Sequence, residues 1–252
     1  MKYTDLVFDL YGTLVDIHTE ETDLVWAKTA FYFGFYGAHY TGPELKAAFE
    51  AALRRREAVA GQSYECFPDI PFEEVMAELF REKGVTEHAD ALGIHAAQLF
   101  RISSLDYIKL YPHALEALAK LRRAGYRLWL LSNAQAIFTA YELRLLGLGD
   151  QLDSIYLSSD YQCRKPDLRF YQALIDERKL DVSKTLMIGN DRHTDIAGAK
   201  AAGMATLYMH TDLTPADQSP ADAKKAIGMT DGREYEFEGD DWEELCALIL
   251  SL

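Results

Sequence analysis

The chain has 252 residues, 49% of them hydrophobic, and a formal net charge of −14 at pH 7. That length and apolar content suit one large α/β domain or a core with an inserted subdomain, and they exclude disorder. The acidity excludes nucleic acid and anionic membrane as partners, because both recruit basic patches, so an anionic ligand would need positive charge supplied locally.

The chain opens on the apolar run Leu6-Val7-Phe8, a buried strand, followed at once by Asp9-Leu10-Tyr11-Gly12-Thr13-Leu14. A carboxylate where a buried strand ends works against strand propensity and reads as a nucleophile or metal ligand, and Gly12-Thr13 supply a permissive turn with a hydroxyl. From about Thr19 to Leu105 the periodicity is helical only, with helices over Glu20–Tyr36, Pro43–Val59, Phe72–Lys83 and Glu87–Ser103. The aromatic run Phe31 to Tyr36 reads as helix core rather than a substrate-facing wall. From Tyr111 the pattern alternates. Helices are expected over Pro112–Ala124, from Asn133 to Leu146, Leu168–Lys179 and Thr194–Ala202, with strands over Tyr126–Leu131, Ser154–Leu157, Thr185–Ile188 and Ala205–Tyr208. Asp212 to Arg233 reads as an irregular surface segment, before a short strand Tyr235–Phe237 and a closing helix Trp242–Leu250.

Alternation of this kind predicts an α/β fold: a doubly wound, Rossmann-like parallel sheet, here interrupted by an all-helical insertion. The expected division is a core of residues 1–15 and 106–252 and a helical cap of residues 16–105. The odd, widely spaced Cys66, Cys163 and Cys246 fit neither a disulfide framework nor a zinc cluster and read as free thiols. With no signal-peptide pattern at Met1–Asp5 and no apolar run of membrane-spanning length, a cytoplasmic location is expected.

In open parallel sheets ligands lie beyond the carboxyl ends of the strands, which draws attention to three polar clusters that follow strands. These are Asp9 with Tyr11-Gly12-Thr13, Ser132-Asn133, and Gly189-Asn190-Asp191-Arg192-His193-Thr194-Asp195. Each alone could be a capped turn, but three together read as a site. Asp191 and Asp195 stand four residues apart and, with Asp9, crowd three carboxylates at one sheet edge, where a cation such as Mg²⁺ would relieve their repulsion. Lys165 in Arg164-Lys165-Pro166 is placed to pair with Asp9 and carry substrate charge, and Ser132 with the following amides to cradle an oxyanion.

Asp9-x-Tyr11-Gly12-Thr13, Ser132-Asn133, Lys165-Pro166 and Gly189-Asn190-Asp191-x-x-x-Asp195, in that order, resemble the four motifs of the haloacid dehalogenase-like hydrolase superfamily, with the helical insertion similar to its four-helix cap. The resemblance implies that Asp9 is the nucleophile and forms a covalent ester, that Ser132 and Lys165 hold the transferring group, with Thr13 and Asn133 beside them, and that Mg²⁺ is held by Asp9, the Tyr11 backbone carbonyl and Asp191, with Asp195 in support.

The motifs of the superfamily's branches are mixed in this chain. Most of its phosphatases carry a second Asp two residues after the nucleophile, as acid and base; here it is Tyr11. The string Asp9 to His18, and Lys165 followed six residues on by Tyr171, resemble the metal-free 2-haloacid dehalogenases. Those use an early cap arginine, whereas the first arginine here is Arg54, and an asparagine where this chain has Arg192. Asp191 restores the acid a metal site needs. The expectation is therefore a Mg²⁺-dependent phosphohydrolase of a small phosphorylated metabolite, selective for good leaving groups; the alternatives are a 2-haloacid dehalogenase and a catalytically weak phosphate-binding or regulatory protein. With a phenol near pKa ~10, Tyr11 would donate a proton but not accept one, leaving His18, Asp16 and His39 as candidate bases and Lys28 and Lys46 as remote Schiff-base candidates. Substrate identity and oligomeric state are not legible.

Overall fold

The computed structural model describes residues 2–60, 67–216, 228–229 and 232–252. Its centre is β1 (Asp5–Phe8), whose Leu6, Val7 and Phe8 are fully buried. A strand apolar on both faces belongs inside a parallel sheet covered on both sides. β1 lies between β4 (Arg127–Ser132) and β6 (Thr185–Gly189), parallel to both, with Phe8 opposite Leu130 and Ile188. Beyond these lie β5 (Ser154–Leu157) on one side, and β7 (Ala205–His210) and β9 (Glu234–Glu238) on the other, all parallel. The two-residue strand β8 (Gly228–Met229) closes that edge antiparallel, giving the order β5-β4-β1-β6-β7-β9-β8.

Alternate side chains send β1 into two cores. Leu6 and Phe8 pack with α5 (Ala114–Arg123) and α10 (Trp242–Ser251), where Trp242 is wholly buried. Val7, with Trp129, Leu131 and Met187, packs on the opposite side with α8 (Leu168–Arg178) and α9 (Ala197–Ala201). Helices on both faces of a parallel sheet make this the expected doubly wound α/β fold. Asp5, at the far end of β1 from the motifs, is buried and satisfied by Trp129 Nε1 and Arg127 Nη2, each 2.8 Å away. α6 (Ala136–Leu145) and the single turn α7 (Ser158–Tyr161) follow β4 and β5 at the carboxyl edge.

The helical segment forms α1 (Asp23–Phe35), α2 (Gly42–Ala60), α3 (Phe72–Glu82) and α4 (Ala89–Ser104) around an aromatic core of its own. Phe33 stacks on Phe80 with centroids 3.9 Å apart, and Trp26 packs on Phe100 at 4.6 Å. Only Phe33 of the aromatic run is fully buried; Phe31, Phe35 and Tyr36 are exposed, which corrects the expectation that the run is core.

Besides the two-residue β8, which lies in the segment read as irregular, two further strands were not expected. β2 (Val15–Thr19) and β3 (Leu105–Leu110) pair antiparallel as a separate ribbon through which the chain enters and leaves the helical segment, and Glu20 N donates to Ser104 O just beyond it. Both strands are short and partly solvated, so their alternation merged with the helical pattern beside it. Of the cysteines, Cys163 and Cys246 are free and buried, while Cys66 lies outside the described residues, as does most of Asp212 to Arg233.

Candidate active site

The carboxyl edge of the sheet brings the ends of β1, β4 and β6 together, and Lys165 arrives from the loop before α8. The Lys165 ammonium lies 2.7 Å from Asp9 Oδ1 and 2.5 Å from Asp195 Oδ1. Asp9 keeps 8% of its surface exposed, against 2% for Lys165 and 1% for Asp195, so Asp9 is the most accessible member of this chain of charges. Burial pulls the Lys165 ammonium down, but Asp195 and Asp9 outweigh it and leave it above its ordinary value. Burial holds Asp195 well above the carboxylate range, with Lys165 opposing and Asp9 adding. The lysine therefore stays charged and fixed.

The loop after β6 is built around Asp195. Its Oδ2 accepts from Asp191 N at 3.0 Å, and Gly189 is required because a Cβ there would lie 2.3 Å from that oxygen. Asp191 uses Oδ1 to cap the π turn Arg192–Ile196, accepting from His193 N and Thr194 N at 2.7 and 3.0 Å. This turn stands where a regular helix was expected to begin. Tyr171 pins the turn from below, donating to Thr194 O at 2.7 Å.

The loop after β1 is held equally tightly. Gly12 sits at φ +81°, and a Cβ on it would come within 2.1 Å of Asn190 Nδ2. Thr13 Oγ1 donates to Asn190 Oδ1 at 3.4 Å, Trp242 Nε1 to Thr13 O at 2.9 Å, and Thr211 Oγ1 to Gly12 O at 2.7 Å. Asn133 clasps the Lys165 backbone in both directions, its Nδ2 donating to Lys165 O at 3.0 Å and its Oδ1 accepting from Lys165 N at 2.7 Å. Ser132 Oγ, at the end of β4, is buried with no hydrogen-bond partner among the described residues. A donor left so is costly unless a ligand completes it.

The Tyr11 side chain is placed differently. Its hydroxyl donates to Glu142 Oε2 at 2.5 Å and lies 3.0 Å from Thr139 Oγ1, while Arg101 of α4 pairs with the same Glu142 at 2.6 Å and sits over the Tyr11 ring. Burial, then the Glu142 carboxylate, push the phenol far above its usual value. Tyr11 thus serves a contact between α4 and α6 instead of presenting a proton beside Asp9. The proposed bases lie elsewhere: His18 pairs with Asp106 in solvent, Asp16 is held by Lys109 and Tyr107, and His39, Lys28 and Lys46 are exposed.

Sequence reasoning missed Asn190, Arg101, Glu142, Gln135 and Asp69. Gln135, before α6, binds the segment ahead of α3, with Nε2 donating to Asp69 Oδ1 at 2.9 Å and Oε1 accepting from Phe72 N at 2.8 Å. Asp69 also accepts from Ser158 Oγ at 2.5 Å, and Arg164 N donates to Phe67 O at 2.8 Å, so this segment lies over the loops that carry Asn133 and Lys165. Asn190 alone had a signal, since it stands inside the last motif.

Among the described residues, no group of three or more His, Cys, Asp or Glu side chains is gathered for a metal ion. Asp195 has both oxygens engaged, which reduces the expected donors to the Asp9 and Asp191 carboxylates and the Tyr11 backbone carbonyl. That set of hard oxygens fits Mg²⁺, which takes one or two carboxylates and keeps several waters. Zinc sites are more often built on histidine nitrogen and cysteine sulfur, which this set lacks.

The model of the haloacid dehalogenase-like hydrolase family matches residues 6–203. The chain is 30% identical over 213 residues to a phosphoglycolate phosphatase of Mesorhizobium japonicum, covering 83% of each. It is 25% identical over 224 residues to (S)-2-haloacid dehalogenase 4A of Burkholderia cepacia, covering 88% of this chain and 89% of that one. A glyceraldehyde 3-phosphate phosphatase of Methanothermobacter thermautotrophicus is 28% identical over 123 residues, a match spanning about half of its length (54%). In fold the chain is similar to the crystal structure of a 2-haloacid dehalogenase from Pseudomonas syringae pv. tomato, with a TM-score of 0.65 at 19% identity over 99% of each chain. With the motif residues meeting at one sheet edge and the family model spanning most of the sequence, the chain belongs to the haloacid dehalogenase-like hydrolases.

Proposed function

We propose that the protein is a Mg²⁺-dependent phosphohydrolase of small phosphorylated metabolites, working through an ester on Asp9. The observation that carries this reading is the Asp9–Lys165 pair beside the unpartnered Ser132 hydroxyl: a nucleophile, a fixed cation and an idle donor at one strand edge. Lys165 and Ser132 orient the oxygens of the incoming group. An Asp9 oxygen then attacks phosphorus as the bond to the leaving oxygen breaks, and water attacks the same phosphorus to free phosphate and restore Asp9. Asp9, Asp191 and the Tyr11 carbonyl would hold Mg²⁺, which supplies neutralisation of phosphate charge. Because the Tyr11 proton is committed to Glu142, leaving groups that need no protonation, such as acyl and aryl phosphates, are favoured.

One observation favours a second reading. Lys165 cross-links Asp9 and Asp195, and among the described residues no third acid is gathered with them as a metal cluster, an arrangement that also suits a metal-free 2-haloacid dehalogenase. Assays of p-nitrophenyl phosphate and acetyl phosphate with Mg²⁺, with EDTA and with Asp9→Asn test the first reading, which requires turnover lost under both treatments. Chloride release from 2-chloropropionate unaffected by EDTA would replace it with the second. Phosphate retained on Asp9 by intact mass without turnover would point to a regulatory protein.

A further inference from the structure

The loop after β1 satisfies its amides within itself and its carbonyls outside. Thr13 N, Leu14 N and Val15 N all donate to Leu10 O, at 3.2, 2.8 and 2.9 Å, and Gly12 N donates to Val15 O at 2.8 Å. The carbonyls of Gly12, Thr13 and Leu14 each meet a donor from a different part of the chain. Gly12 O accepts from Thr211 Oγ1, at the end of β7, at 2.7 Å. Thr13 O accepts from Nε1 of Trp242, the first residue of α10, at 2.9 Å, and Leu14 O from Tyr111 N, just past β3, at 3.1 Å. A loop outside helix and sheet must find such partners elsewhere. The donors are also joined to one another. Tyr111 Oη donates to Asp212 Oδ1, beside Thr211, at 2.6 Å, and Trp242 N donates to Pro112 O, beside Tyr111, at 3.1 Å. Burial, then Asp212, hold the Tyr111 phenol far above its usual value, so it remains a donor.

We infer that Thr211, Trp242 and Tyr111 form a collar that aims Asp9, Thr211 being a positioning residue that acts through the Gly12 carbonyl. This role rests on the reading of Asp9 as the attacking group, common to the phosphohydrolase and the dehalogenase. A peptide plane turns about its two flanking Cα atoms, and a donor fixed on its oxygen stops that rotation. With three successive planes held, the backbone between Asp9 and β2 is set from outside. Trp242 also packs against Phe8, the residue before Asp9, with ring centroids 5.6 Å apart, so one side chain braces the loop at both ends. Because the chain leaves the β2–β3 ribbon at Tyr111, the collar joins the exit of the helical segment to the loop that carries Asp9. A misplacement of about 1 Å at the reacting group can cost roughly 100-fold in rate. Thr211 is the member to alter, since it is half-buried, whereas Trp242 is wholly buried in the core.

Thr211→Val, which keeps the shape and removes the hydroxyl, is compared with Thr211→Ser, which keeps the hydroxyl. Amide hydrogen exchange of the full chain reads the loop without any substrate. The Gly12, Thr13, Leu14 and Val15 amides are expected to exchange roughly 5-fold faster or more in Thr211→Val and at the wild-type rate in Thr211→Ser, although neither variant alters a bond those amides make. Turnover reads the aim of Asp9, on p-nitrophenyl phosphate with Mg²⁺ or on 2-chloropropionate, whichever the wild type consumes. In Thr211→Val, kcat is expected to fall roughly 10- to 100-fold with KM changed by less than about 3-fold, and Thr211→Ser to recover it. Loop amides that exchange alike in wild type and both variants overturn the collar. So does a wild-type kcat in Thr211→Val, or a loss confined to KM. A wild type that consumes neither substrate fails the reading of Asp9, and exchange still decides the collar.

Discussion

Tyr11 donates its hydroxyl to Glu142 at 2.5 Å, and the second claim on that carboxylate is Arg101, reaching across from α4. Tyr11, two positions after Asp9, is thereby tied to a strongly desolvated ion pair joining the helical segment to α6, with Arg101 and Glu142 side chains 14% and 9% exposed. Glu142→Ala strands a buried guanidinium and is expected to cost about 3 kcal/mol, whereas Tyr11→Phe removes one charge-assisted hydrogen bond and costs about 1–2 kcal/mol. Denaturant unfolding of both single variants and the double variant checks this, and a double-variant loss equal to the sum of the singles would show that the two residues do not act together.

Gly12→Ala meets two separate obstacles, a left-handed backbone and the Asn190 amide 2.1 Å from the new Cβ. The backbone alone costs about 1–2 kcal/mol. Stability is therefore expected to fall further in Gly12→Ala than in Gly12→Ala with Asn190→Ala, which removes the overlap and keeps the strain. Thermal melts of both decide it.

Asn133→Ala deletes the two hydrogen bonds that set the Lys165 backbone. At about 1 kcal/mol each, a loss near 2 kcal/mol is expected. Turnover should fall more than that destabilisation explains when measured well below the melting temperature, because the ammonium is no longer aimed at Asp9. Retained turnover in a fully folded Asn133→Ala would remove this positioning role.

His113 Nδ1 donates to Asp241 Oδ1 at 3.1 Å, between the start of α5 and the cap of α10. The Asp241 partner raises His113 above its ordinary 6.5, and His113 first, then the Glu243 backbone N–H, lower Asp241 below its ordinary 3.8. A raised histidine stabilises fully below its unfolded value and loses that contribution as pH rises through its folded value. The lowered carboxylate contributes above its unfolded value and loses as pH falls through its folded one. The pair therefore supports the fold most between about pH 4 and 6.5. Melting curves of wild type and His113→Asn are expected to differ at about pH 5 and to converge at about pH 9.

The core was legible because buried parallel strands announce themselves: Leu6-Val7-Phe8, Leu128 to Leu131 and Leu186 to Ile188 are apolar runs bounded by turn residues, and each is followed by a polar motif. The position of Lys165 was legible for the same reason, since a lysine before Pro166 and a helix has few places to go in such a sheet. Arg101 and Glu142 were not. On their own helices each looks like one more solvated charge, and only tertiary packing shows that they desolvate each other. The Tyr11 hydroxyl was misread in consequence, because what binds it lies 131 residues away. Phe31 and Phe35 misled in the opposite sense, as hydrophobicity reports an appetite for burial without saying which surface satisfies it.

The β2–β3 ribbon has a consequence for how the chain can vary. Val15 stands opposite Leu110, so everything between them departs and returns at one place, and the sheet registers the whole excursion as it would a hairpin turn. Closure entropy grows only with the logarithm of loop length, by about 0.6 kcal/mol per doubling, so the intervening helices can be lengthened, replaced or reshaped at little cost to strand order. The helices between β2 and β3 can thus change while the order and register of the sheet stay as they are.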